Sequence, residues 1–181
     1  VMGYSTMKRD HSHYAGQIGG LGGKNTNDLA KETDLAIAVG TKLADFTTGS
    51  WANFENEKFK LVSINVSRFD ANKHLAQAVV GDAKVSLIEL SKALGDWKVG
   101  DEWNEKSQRE LKIWNEHIDK ESAPTNQEVP SYIQVIGAIY RNSEPTDIAV
   151  TAAGGLVGEV VQVWRPKELN THESEWGFSC M

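Results

Sequence analysis

The sequence has 181 residues, of which 40% are apolar and 24% charged, and its formal net charge is −6. That length accommodates one domain or two small ones, and the composition is that of a soluble globular chain. No apolar run approaches the roughly 18 residues of a membrane span, and no Lys/Arg block offers a surface to nucleic acid or acidic lipid, which leaves small molecules and other proteins as partners.

The first notable segment is Gly16-Gln17-Ile18-Gly19-Gly20-Leu21-Gly22-Gly23-Lys24-Asn25. Glycines let backbone N–H groups approach an anion, so a phosphate loop is one reading. The segment lacks the third Rossmann glycine, follows no clear strand, and has Asn25 rather than Ser or Thr after Lys24. A tight entry into a helix is therefore the favoured reading. That helix is predicted over residues 25–32, with Asn25 or Thr26 as N-cap. The runs Leu35–Val39 and 61–66 are apolar throughout, which predicts neighbouring strands of a parallel sheet buried on both faces. Asp82 is placed to cap a helix whose apolar face is Val85, Leu87, Ile88, Leu90 and Leu94, with Gly95 as its stop. The order predicts a Rossmann-like α/β layer over residues 15–95.

From residue 96 to 121 charged residues are punctuated by Trp103, Leu111, Trp114 and Ile118, nearly on one helical stripe. This predicts a linker helix that packs through Trp103 and Trp114, which lie about three turns apart. Pro124 breaks it. A further helix is predicted with Pro130 in its first turn and Tyr132, Ile133, Val135, Ile136, Ile139 and Tyr140 at helical spacing. Residues 147–151 read as a buried strand that turns through Ala152-Ala153-Gly154-Gly155 into a helix starting at Leu156. Residues 165–181 show no clear period, so 126–181 reads as the opening of an α/β domain.

Asp10-His11-Ser12-His13 brings two imidazoles and a carboxylate together, but without a second ligand cluster at a zinc-site interval it reads as a solvated loop. No Gly-x-Ser-x-Gly elbow is present, and the six tryptophans lack basic interleaving and read as packing anchors. The single Cys180 cannot form an internal disulfide, and Val1-Met2-Gly3-Tyr4 resembles no secretion signal, so the cytoplasm is the expected compartment. The strongest physical signal is the strand–turn–helix at 150–156, because unpaired N–H groups at such a strand end suit an anionic ligand. Close helix–strand packing, which also needs small residues, is the other reading.

Taken together, residues 39–51 (Val-Gly-Thr-Lys-Leu-Ala-Asp-Phe-Thr-Thr-Gly-Ser-Trp), residues 150–158, Trp164-Arg165-Pro166 and Gly177-Phe178-Ser179-Cys180-Met181 are similar to the thiamine diphosphate (ThDP) enzymes. Within these they resemble the hydrolases that open trihydroxycyclohexanedione in myo-inositol breakdown. Ile64-Asn65-Val66, Phe69-Asp70-Ala71 and Lys73-His74 extend the likeness over nearly the whole chain, and Val157 departs from it where proline is expected. The resemblance implies three α/β domains in the parent enzyme. It assigns residues 1–95 to the central domain, 96–125 to a linker and 126–181 to the start of the diphosphate-binding domain, so that the chain is an internal fragment.

By the same likeness Ala153, Gly154, Gly155 and Leu156 contact the ThDP diphosphate and pyrimidine, while Ser179 and Met181 support the bent cofactor. No catalytic residue or metal ligand is assigned in this chain. The activating glutamate and the Gly-Asp-Gly to Asn motif that holds Mg2+ belong to other parts of the parent, a homodimer or homotetramer. The fragment alone is therefore expected to be inactive and not to retain ThDP and Mg2+. The parent reaction implied is C–C cleavage of a small cyclic dione to a 5-deoxy-glucuronate. Another ThDP lyase of the acetolactate synthase type, a standalone nucleotide-binding module on the glycine segment, and a non-catalytic interaction domain are the alternatives. An exposed apolar face on 126–181 would favour the fragment over the last of these.

Overall fold

A computed structural model describes Gly3 and residues 6–174. The chain forms two compact units, one of Ile18–Gly20 and Asn27–Trp103, the other of Val1–Gln17, Leu21–Thr26 and Asn104–Met181.

In the first unit, β1 (Leu35–Val39), β2 (Lys60–Asn65) and β3 (Gln77–Val80) form a parallel sheet in that order. Leu35 stands opposite Lys60, and Val62 opposite Gln77. Short helices α2 (Asp45–Thr48) and α3 (Arg68–Ala71) lie in the connections, and α4 (Ala83–Leu94) follows β3. The cap of α4 is the expected one, with the Val85 N–H donating to Asp82 Oδ1 at 3.0 Å. Ala38, Leu43 and Leu61 form a core with Trp51 and Phe59 against it.

The expected parallel pairing is present, but two-faced burial of β1 is not. Ala36 and Ala38 turn toward the core side, whereas Leu35, Ile37 and Val39 are 46%, 44% and 38% exposed. A uniformly apolar run permits burial on both faces without enforcing it, and β1 lies at the edge of this sheet. The strand β3 escaped the sequence reading because four residues, one of them Gln77, carry too short a period to register.

The second unit takes α5 (Asp101–Glu121) from Asn104 onward, then α6 (Tyr132–Arg141), β4 (Ala149–Thr151), α7 (Leu156–Val163) and β5 (His172–Ser174). β4 and β5 run parallel, Ala149 opposite His172. The core is Ile118, Ile136, Val160, Val163 and Trp164, flanked by Trp114 and Tyr140. Along α5 the deepest residues are Ser107, Leu111 and Ile118, with Trp103 and Trp114 half-buried.

Helix α6 begins one step later than expected. Ser131 is its N-cap and its N–H donates to Gln134 Oε1 at 2.9 Å, which leaves Pro130 ahead of the cap rather than in the first turn. Similarly, α1 (Lys24–Glu32) starts before Asn25 and Thr26, which lie inside it and are buried. Their side chains do not cap it. Asn25 donates to Ala15 O at 3.1 Å, and Thr26 Oγ1 bonds Gln17 O and Gly23 O.

Candidate functional site

The turn after β4 is the place where the second unit exposes backbone for a ligand. Gly154 has φ +106°, a conformation that side chains with a Cβ adopt only under strain, and it redirects the chain from β4 into α7. Gly155 then serves as N-cap of α7 without any side-chain cap bond, so the first N–H groups of the helix remain open. A Cβ built on Gly154 or Gly155 would meet no described atom within 4 Å. Close helix–strand packing therefore does not account for these glycines. Ala152, Gly154, Gly155 and Leu156 are exposed and Ala153 is half-buried, so the four residues from Ala153 to Leu156 form one accessible turn.

Behind the turn the helix is fixed by apolar packing. Val157, 5% exposed, packs with Val161 and Leu21, so the valine at this helix-entry position works as a core side chain. On the same helix Gln162 bridges two elements, donating to Leu21 O at 2.6 Å and accepting from Trp114 Nε1 at 3.0 Å. The sequence reading passed over Gln162, although one amide amid Val160, Val161, Val163 and Trp164 is a signal that a buried hydrogen bond is being made. Glu159 was also missed. It puts a carboxylate in the first turn of α7, and its Oε2 is buried with no hydrogen-bond partner among the described residues. A carboxylate there is favoured by the helix dipole.

Ser179, Cys180 and Met181 lie outside the described residues. The Asp10-His11-Ser12-His13 segment holds no metal constellation, and no group of three or more potential ligands occurs among the described residues. His11 Nδ1 instead accepts from the His13 N–H at 3.1 Å, and His13 Nδ1 lies 3.0 Å from Asn104 Oδ1. The glycine segment is not an open phosphate loop. In the first unit Gly19 N donates to Asn27 Oδ1 at 2.8 Å, Asn27 Nδ2 returns a bond to Gly19 O at 3.0 Å, and Gly20 N donates to Phe46 O at 2.8 Å. These amides are spent on the fold. No described helix is long and apolar enough to cross a membrane.

His172 on β5 is 4% exposed, and burial together with the nearby Arg9 charge lowers its pKa to about 4. An unfolded histidine titrates near 6.5, so the neutral ring favours the folded state. That stability is complete above about pH 6.5 and is lost as pH falls toward 4, amounting to about 3 kcal/mol. The urea midpoint of the second unit should fall across this window, and His172→Leu should flatten the slope. An unchanged slope in the variant would exclude His172 as its origin.

The family described as "Thiamine pyrophosphate enzyme, central domain" matches residues 1–90. Over 200 aligned residues the chain is 34% identical to the 3D-(3,5/4)-trihydroxycyclohexane-1,2-dione hydrolase of Geobacillus thermodenitrificans, covering 99% of this chain and 31% of that protein. Proteins of the same name from Clostridium tetani and Bacillus anthracis are 33% and 30% identical, again over 99% of this chain and 32% of theirs. The chain thus spans about a third of the length of the curated relatives it matches.

Proposed function

We propose that this chain, whose residues 1–90 match the thiamine pyrophosphate enzyme central domain, is part of a C–C-bond hydrolase acting on trihydroxycyclohexane-1,2-dione. The product is a 5-deoxy-glucuronate, as in the breakdown of myo-inositol, and the cofactors are ThDP and Mg2+. The observation that carries the reading is the exposed, uncapped N-terminus of α7 behind Gly154, in a chain that aligns throughout with hydrolases of that name.

In this reading the backbone N–H groups of Ala153, Gly154, Gly155 and Leu156 hold the ThDP diphosphate, since a helix N-terminus favours an anion. When bound, the cofactor supplies the carbanion nucleophile that a protein side chain cannot. Apolar side chains are open on both units: Leu35, Ile37 and Val39 on β1, and Tyr132 (66%), Ile139 (53%), Ile148 (61%) and Val150 (74%) on the second unit. Such patches suit a segment embedded in a larger assembly, a dimer or tetramer of the whole enzyme.

The 181 residues contain no Gly-Asp-Gly sequence. The isolated chain is therefore expected to bind Mg-ThDP no tighter than millimolar, or about 4 kcal/mol, and to cleave no ring. The positive test is a chimera in which this chain replaces the aligned segment of the Geobacillus hydrolase. It should consume the dione only with ThDP and Mg2+, and Gly154→Val in it should weaken ThDP by about a hundredfold, since a β-branched residue resists the required φ. A folded chimera that fails to bind ThDP would overturn the assignment.

A further inference from the structure

A cleft in the second unit, of about 370 Å3, is lined by Arg9, Asp10, Tyr14, Asn115, Arg165 and Lys167 among others. In a chain of net charge −6 it gathers three cations. Asp10 in the lining, and Asp119 bound to Arg165 Nη2 at 2.7 Å, leave the cleft still positive. The cations are held in place at its wall: Arg9 lies over the Tyr14 ring and Lys167 over the Tyr140 ring, each 5.4 Å from the ring centroid.

Two buried donors of the residues that line it are unspent. Tyr14 is 7% exposed and its hydroxyl has no hydrogen-bond partner among the described residues. Arg165 directs Nη2 to Asp119 and to Asn115 O at 3.1 Å, yet its buried Nε has no partner. Leaving a buried donor unsatisfied costs about 1–3 kcal/mol, so two of them on residues that line one positive cleft favour an acceptor-rich ligand there. We infer that this cleft is a binding site for a small oxyanion, either the carboxylate of a sugar acid or a phosphate group. Both present several acceptor oxygens and negative charge, which Tyr14, Arg165, Arg9 and Lys167 complement. Burial raises the Tyr14 pKa, so the phenol stays protonated and remains a donor. The volume lies within the range of small-molecule pockets, which begin at about 300 Å3. The inference is read from the cleft alone and does not rest on the ring-opening reaction.

Calorimetric titration of the 181-residue chain at low salt with glucuronate, inorganic phosphate and glucose tests it. At least one anion should bind while glucose does not, and the anion that binds more tightly identifies the source. Tyr14→Phe and Lys167→Gln should each weaken that anion about fivefold or more. Tyr14→Phe should not lower the ligand-free melting temperature, because it removes a hydroxyl that has no partner. Absence of binding by both anions, equal binding of glucose, or affinities unchanged in both folded variants would each overturn the site.

Discussion

Trp164→Ala is expected to destabilise the second unit by about 4 kcal/mol, the cost of emptying a large aromatic site in a packed core. Trp164 is 8% exposed and belongs to the cluster of Ile118, Ile136, Val160 and Val163. Tyr140 meets its ring edge-on, with centroids 5.6 Å apart. The Trp164 N–H also closes α7 on Val160 O at 2.8 Å, and this backbone bond survives the substitution. The loss is therefore one of packing, and it falls on α5, α6 and α7 together. Because β4 and α7 carry the turn at Ala153–Leu156 between them, the loss would reach the candidate cofactor site without any contact to it. Urea unfolding followed by circular dichroism gives the size, and amide hydrogen exchange locates it. A loss below about 1 kcal/mol would mean that this cluster is not the centre of the unit.

Gly19→Ala should cost about 3 kcal/mol in the first unit, through backbone strain added to a steric clash. Gly19 has φ +102°, and a Cβ there would collide with the backbone carbonyl of Phe46, which cannot rotate away as a side chain would. Gly40 provides the control. Its φ is +64° but no described atom lies within 4 Å of its Cβ position, so Gly40→Ala should cost only about 1 kcal/mol. The comparison separates the two readings of the glycine segment. A phosphate loop would tolerate Gly19→Ala in the ligand-free protein and lose nucleotide affinity, whereas a packing glycine loses stability with no ligand present. Equal, small effects at both positions would contradict the close approach of Gly19 to Phe46.

The sequence alone determined much of the local structure, since the signals for it are local. Leu35–Val39 was legible as a strand to the residue, Asp82 as a cap and Gly95 as a stop, because side-chain hydrogen bonds and apolar periods act within a few positions of one another. The turn from Ala153 to Leu156 was legible for the same reason, as small residues between a strand and a helix. What the turn could accept was only half legible, because ligand approach and close packing both ask for glycine, and the open space around Gly154 and Gly155 exists only in three dimensions. The same holds for Asn25 and Thr26. As letters they are helix caps, but they hold the glycine segment through bonds to residues 9 and 10 positions away. Burial was the least legible property. Leu35 and Ile37 stay exposed despite their apolar run, and Tyr14 and Arg165 line one cleft although 151 positions separate them. Periodicity tells which residues could be covered, and only the tertiary arrangement of neighbouring elements decides which are.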